Sequence, residues 1–211
     1  MGANASIPVI NGLTDYDHPT QALADWLTIR EVFGKDISGR KFTYFGDGNN
    51  VTTAWLMMGA IMGAHVVAAT PEGKFAPKRE VIELASKLAL ESGGKVEVTS
   101  DAKSAASGAS VLYTDVWMSM GDPEADRIEK EKALASYSIS DELMSLASKD
   151  AIYALLASSS RPRGKRICHG WSCFKDLASG LSSPNYNSSH SLSQPARRIK
   201  GKDLNLISLK V

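Results

Sequence analysis

Two periods of apolar residues alternate along the chain as far as about Leu156. Short apolar runs predict strands at Lys41–Phe45, Ala64–Ala69, Lys95–Val98, Val111–Tyr113 and Ala151–Leu156. Stretches with helical spacing lie between them. The first opens at His18-Pro19, with proline at the first helical position, and ends at Gly34. Its apolar residues Ala22, Leu23, Trp26, Leu27 and Val32 predict the buried side. Further helices are expected at Val51–Met62, Pro77–Leu90, after Asp101, at Glu124–Leu134 and at Ser140–Leu146. Asp101 and Ser140 suit N-caps, because their side-chain oxygens accept free amide protons of the first turn. Strands alternating with helices predict an α/β fold, a doubly wound parallel sheet over residues 1–156.

The pattern then breaks. Ser158-Ser159-Ser160, the basic run Arg161–Arg166 and the Ser/Asn/Pro-rich stretch Ser182–Pro195 sustain neither period. Residues 157–211 therefore read as a disordered tail. The basic run could touch nucleic acid, but without an ordered scaffold a solvated tail is the better reading.

Composition changes this picture little. The chain has 211 residues, 43% hydrophobic, and a net charge of +1. That is enough apolar material for a packed core, and it implies no general attraction to nucleic acid or membrane. The longest apolar stretch, Ala54 to Ala69, is interrupted by two glycines and a histidine and reads as a buried helix and strand. No signal peptide is recognisable, and Cys168 and Cys173 are not at a standard metal or redox spacing, so a reduced cytoplasmic setting is expected.

Candidate chemistry gathers in three loops. His18-Pro19-Thr20-Gln21 puts two hydrogen-bonding side chains at a helix start, where the dipole and free amides favour an anion. Taken alone, it reads more readily as an ordinary proline-initiated helix with surface His and Gln, since short motifs recur by chance. Gly46-Asp47-Gly48-Asn49-Asn50 follows a strand but lacks the third glycine and the acidic strand end of a dinucleotide loop. Asp115-Val116-Trp117-Met118-Ser119-Met120-Gly121 places a carboxylate, a hydroxyl and apolar side chains after the strand at Val111. An acid for a cationic amine, donors for a carboxylate and a water-excluding lid are what an amino-acid substrate requires. Trp26, Trp55, Met57, Met58 and Met62 recur at helical spacing and read as core, as does His65.

The Asp-x-x-x-Ser-Met-Gly loop, together with His-Pro-x-Gln, resembles the ornithine carbamoyltransferases over about residues 5–152. The resemblance implies carbamoyl transfer from carbamoyl phosphate to L-ornithine, giving citrulline and phosphate, within arginine biosynthesis. It implies that His18 and Gln21 contact carbamoyl phosphate, and that Asn50, Asp115, Ser119 and Met120 hold ornithine. It implies no metal or organic cofactor, no nucleic-acid or membrane partner, and a family homotrimer whose contacts are largely missing here.

Two family features are not found. No Ser-x-Arg-Thr-Arg phosphate loop occurs, and the last strand does not run into His-Cys-Leu-Pro-Ala-His-Arg-Gly. Suitable codons for Tyr153–Arg161, read one nucleotide later, encode that motif in place. A frame shift near Tyr153 is therefore expected, and with it no catalytic cysteine: neither Cys168 nor Cys173 takes that role. The chain is expected to be inactive alone. The alternative is a non-catalytic ligand-binding or partner-binding fragment.

Overall fold

The computed structural model describes residues 6–117 and 127–156, together with the backbone of Asn205–Leu209. Six strands, β1 (Lys41–Phe45), β2 (His65–Ala69), β3 (Lys95–Thr99), β4 (Ala109–Thr114), β5 (Ile152–Leu156) and β6 (Asn205–Leu209), form one sheet in the order β3-β2-β1-β4-β5-β6. Every pair is parallel. This is the doubly wound order, in which successive strands step outward from the centre on either side. Strand β6 falls within the stretch expected to be an unstructured tail. Its Leu-Ile-Ser-Leu run has strand propensity, and it pairs along the otherwise open edge of β5.

The helices are α1 (Pro19–Phe33), α2 (Asn50–Ile61), α3 (Arg79–Ser92), α4 (Ala102–Ala106), α5 (Arg127–Leu134) and α6 (Asp141–Leu146). Asp101 caps α4 by accepting from the amides of Lys103 and Ser104, and Ser140 caps α6 through Leu143. Strand side chains alternate between the two faces, and each face has its own core. Phe42, Tyr44, Val66, Ala68, Val111 and Tyr113 pack with Trp26, Trp55, Leu56 and Val81 from α1, α2 and α3. Phe45, Val67, Ala69 and Leu112 pack with Ala105, Leu134, Tyr137 and Leu143 on the other side.

The first core is dominated by aromatic rings. Trp26 meets Phe42 edge-on with centroids 5.1 Å apart, and Trp55 stacks on Tyr113 at 4.6 Å. Gly59 lets α2 approach this layer, since a Cβ there would run into Val66 and the Trp26 ring. The buried stripe of α1 keeps Ala22 and Trp26, with Val32 packed against the core, but is otherwise rotated from the expected one. Leu23 and Leu27 are 56% and 61% exposed, whereas Gln21, Ala22, Asp25, Trp26 and Ile29 are buried. The helix has turned polar residues inward. The physical reason is that its inner face lines a crevice as well as covering the core.

Candidate functional site

Strands β1 and β4 are neighbours, in register from Phe42↔Val111 to Phe45↔Thr114. The chain leaving β1 proceeds towards β2, and the chain leaving β4 towards β5, on opposite sides. Their loops therefore diverge at the C-terminal ends of the strands and open a crevice, the place where open α/β sheets bind ligands.

Asp115 is the first residue beyond β4 and is buried. The Val116 amide donates to its Oδ1 at 2.6 Å, and Asn49 Nδ2 donates to its Oδ2 at 3.4 Å. Burial raises its carboxyl from 3.8 to about 7, reinforced by repulsion from Asp47 and opposed by the Val116 and Asn49 hydrogen bonds and by the Lys130 charge. It is a carboxylate with incomplete compensation, suited to receive a cation.

Asn49 sits beside it for a local reason. Its Oδ1 caps α2, accepting from Val51 and Thr52 at 2.9 and 3.0 Å. With the oxygen turned to the helix, the amide nitrogen faces Asp115. Asp47, two residues earlier, forms a buried ion pair with Lys130 of α5 at 2.9 Å. Lys74 pairs with Glu129 of the same helix, also at 2.9 Å, at the surface. These contacts fasten α5 against the loops after β1 and β2. Gly48 allows those two loops to touch: its amide donates to Phe75 O at 2.7 Å, and a Cβ would collide with the Ala76–Pro77 backbone.

A second, narrow crevice lies between α1 and α2, lined by His18, Gln21, Ala22, Asp25, Val51, Ala54 and Trp55. His18 holds the N-cap position of α1, but its side chain caps no amide and its Nδ1 is buried without a hydrogen-bond partner. Gln21 Nε2 donates to Asp25 Oδ1 at 2.8 Å, and the Tyr113 hydroxyl donates to Asp25 Oδ2 at 2.8 Å. Burial pushes the Asp25 carboxyl up to about 6 in spite of both hydrogen bonds.

The structure thus brings His18 and Gln21 to the crevice between α1 and α2 and places Asp115 at the switch point. It does not turn the Asn50 side chain to Asp115, because Asn50 Nδ2 donates to Thr14 O at 2.7 Å. Ser119 and Met120 lie outside the described residues. Sequence reasoning missed Asn49, Asp47, Lys130, Asp25 and Tyr113. Asn49 was in view beside Asn50, and Asp25 follows Gln21 at the i, i+4 spacing of facing helical residues. The 83-residue separation of Asp47 and Lys130 leaves no local signal.

Residues 38–153 match the family model described as aspartate/ornithine carbamoyltransferase, Asp/Orn binding domain. The chain belongs to the aspartate/ornithine carbamoyltransferase family. Residues 1–31 match that family's carbamoyl-P binding domain, so the stretch read above as one domain draws on both models. A catabolic ornithine carbamoyltransferase from Thermoplasma volcanium is 48% identical over 153 residues, 72% of this chain and 49% of its own length. The ornithine carbamoyltransferase of Thermococcus kodakarensis is 48% identical over 149 residues, 71% of this chain and 46% of its own. The solved ornithine carbamoyltransferase of Pyrococcus furiosus superposes with a TM-score of 0.69 at 43% identity, covering 76% of this chain and 50% of that one. The chain therefore spans about half the length of the carbamoyltransferases it matches. Asp25 falls within the carbamoyl-P match and Tyr113 within the Asp/Orn match, so their hydrogen bond joins the two matched regions of this chain.

Proposed function

We propose that the chain carries the ornithine side, and part of the carbamoyl phosphate side, of an ornithine carbamoyltransferase site. The observation that carries this reading is Asp115, a buried carboxylate at the sheet's switch point that, among the described residues, is met by the Val116 and Asn49 amides, repelled by Asp47 and weakly attracted by Lys130. Such a group selects a substrate ammonium. It repels a second substrate carboxylate, which favours ornithine over aspartate among the family's acceptors.

In this reading Asp115 takes the α-ammonium of ornithine, with Ser119, Met120 and Asn50 completing the hold on its backbone groups. The neutral δ-amine then attacks the carbonyl carbon of carbamoyl phosphate. The C–N bond forms, the C–O bond to phosphate breaks, the amine loses a proton, and citrulline and phosphate leave. His18 and Gln21 contact the carbamoyl group and its phosphate. Catalysis is mainly positioning and electrostatic stabilisation of the leaving phosphate. Citrulline formation in a cytoplasmic, arginine-biosynthetic setting is part of the same reading, supported by the resemblance alone; the Thermoplasma volcanium relative is named catabolic.

The test is a titration of L-ornithine into the ¹⁵N-labelled chain, with L-aspartate in parallel. Expected are saturable shifts around Asn49 and Val116 with ornithine, weaker with aspartate and absent in Asp115→Asn. Equal binding of both amino acids, or binding that survives Asp115→Asn, overturns the reading. A citrulline assay on the purified chain separates a transferase from a non-catalytic binding fragment.

A further inference from the structure

Asp25 is a buried carboxylate in the crevice between α1 and α2 that no role in the proposed reaction explains. Its two oxygens are both engaged, Oδ1 by Gln21 Nε2 and Oδ2 by the Tyr113 hydroxyl, each at 2.8 Å. An ionised carboxylate only accepts hydrogen bonds. The Tyr113 hydroxyl is held protonated by burial and by the neighbouring carboxylates Asp25 and Asp115, so it can only donate here. Gln21 must then turn its NH₂ group to Asp25. A carboxamide has one donor end and one acceptor end, and committing the nitrogen leaves the oxygen for the crevice.

A purely structural role accounts poorly for this arrangement. Tying α1 to β4 needs no charge, and a buried carboxylate costs stability that a neutral amide or an apolar residue would not. What the charge adds is direction: it accepts from Gln21 and offers it nothing in return. We infer that Asp25 is a positioning residue, which fixes the Gln21 carboxamide with its oxygen presented to the ligand and so makes this position select an N–H donor, the carbamoyl amide, over an anionic oxygen. The ligand half of that statement rests on the carbamoyl phosphate reading above; the orientation half does not. The bond to Tyr113 adds a second consequence. Tyr113 lies two residues before Asp115 on β4, so one carboxylate ties the amide-selecting group to the strand that delivers the ammonium-binding one.

The side-chain amide resonance of Gln21 in the ¹⁵N-labelled chain tests the orientation without any ligand. It is assigned by its disappearance in Gln21→Glu. One Nε2 proton is expected downfield and slow to exchange, with a shift that follows a single titration near pH 6. The other titratable groups facing Asp25 are His18 at the N-cap of α1 and Tyr113 on β4, with Tyr44 of β1 against the Tyr113 ring, while α2 lines the crevice with Val51, Ala54 and Trp55. Tyr113→Phe removes a hydrogen bond to the ionised form and should move that titration upward while keeping the Gln21 signal. Asp25→Asn should abolish the downfield proton. It should also change ligand choice. The native chain is expected to bind phosphonoacetamide about fivefold better than methylphosphonate, the worth of one hydrogen bond, and Asp25→Asn should bring that ratio to about one. A Gln21 signal indifferent to pH and unmoved in Tyr113→Phe overturns the inference even where Asp25→Asn does not fold. A native chain that binds neither phosphonate counts against the carbamoyl phosphate reading, and the amide signal still decides the role of Asp25.

Discussion

Protonation of Asp115 should govern ornithine binding, and the size of the effect follows from its surroundings. Its carboxyl lies at about 7 in the folded chain, mainly through burial. Only the ionised form attracts the substrate ammonium. Roughly a tenth of it is ionised at pH 6 and about nine-tenths at pH 8, so the dissociation constant for ornithine should be about tenfold weaker at pH 6. Binding at pH 6 should expel close to one proton per ornithine bound, and at pH 8 almost none. Titration calorimetry in buffers of different ionisation enthalpy measures both quantities. A dissociation constant flat from pH 6 to 8, or no proton release at pH 6, would refute the argument. Stability supplies an independent check. The folded carboxyl lies above its unfolded value near 3.8, so between about pH 4 and 7 the unfolded chain binds fewer protons. Stability contributed by this group therefore falls as pH rises through that window and is level above it. The full penalty for the ionised form is on the order of 4 kcal/mol. Asp115→Asn should lose ornithine binding yet stabilise the chain at pH 8 by about 2 kcal/mol, since asparagine can still accept from Val116, and the gain should vanish near pH 4 in thermal melts.

Three further outcomes are expected. Lys130→Met leaves Asp47 buried without its ion-pair partner and should cost about 3–5 kcal/mol by urea titration, a change under 1 kcal/mol contradicting the buried pair. Gly48→Ala forces a Cβ into the Ala76–Pro77 backbone and should lower the melting temperature and weaken ornithine binding together; an unchanged melt would show that the loop contact is not formed. Leu23→Gln with Leu27→Gln removes exposed apolar side chains from α1 and should reduce self-association in sizing chromatography without loss of stability.

The parallel sheet was legible because its strands are short apolar runs separated by helical spacing, a purely local signal. Asp115 was legible for a similar reason, since strand ends at a switch point are where such sheets place ligand chemistry. The crevice between α1 and α2 was not. In α1 hydrophobic periodicity placed Ala22 and Trp26 correctly, but Leu23 and Leu27 are exposed and the polar pair Gln21 and Asp25 is buried in their place, so the stripe it named is rotated from the buried one. Periodicity detects burial by greasiness, and a helix that lines a polar crevice violates its premise. That Asn49, and not Asn50, faces Asp115 was hidden for a subtler reason. Both are amides in one loop, and only the cap geometry of α2 decides which of them faces Asp115.

That cap carries a consequence for anyone who wishes to redesign the loop. Asn49 works as a two-ended adapter: its oxygen terminates a helix and its nitrogen meets a carboxylate. Aspartate at this position would terminate the helix equally well but would set a second negative charge against Asp115. Serine would terminate it too, but lacks the amide end that reaches across. Helix start and the surroundings of Asp115 therefore meet in a single side chain, and a substitution at residue 49 that keeps the cap still changes what Asp115 faces.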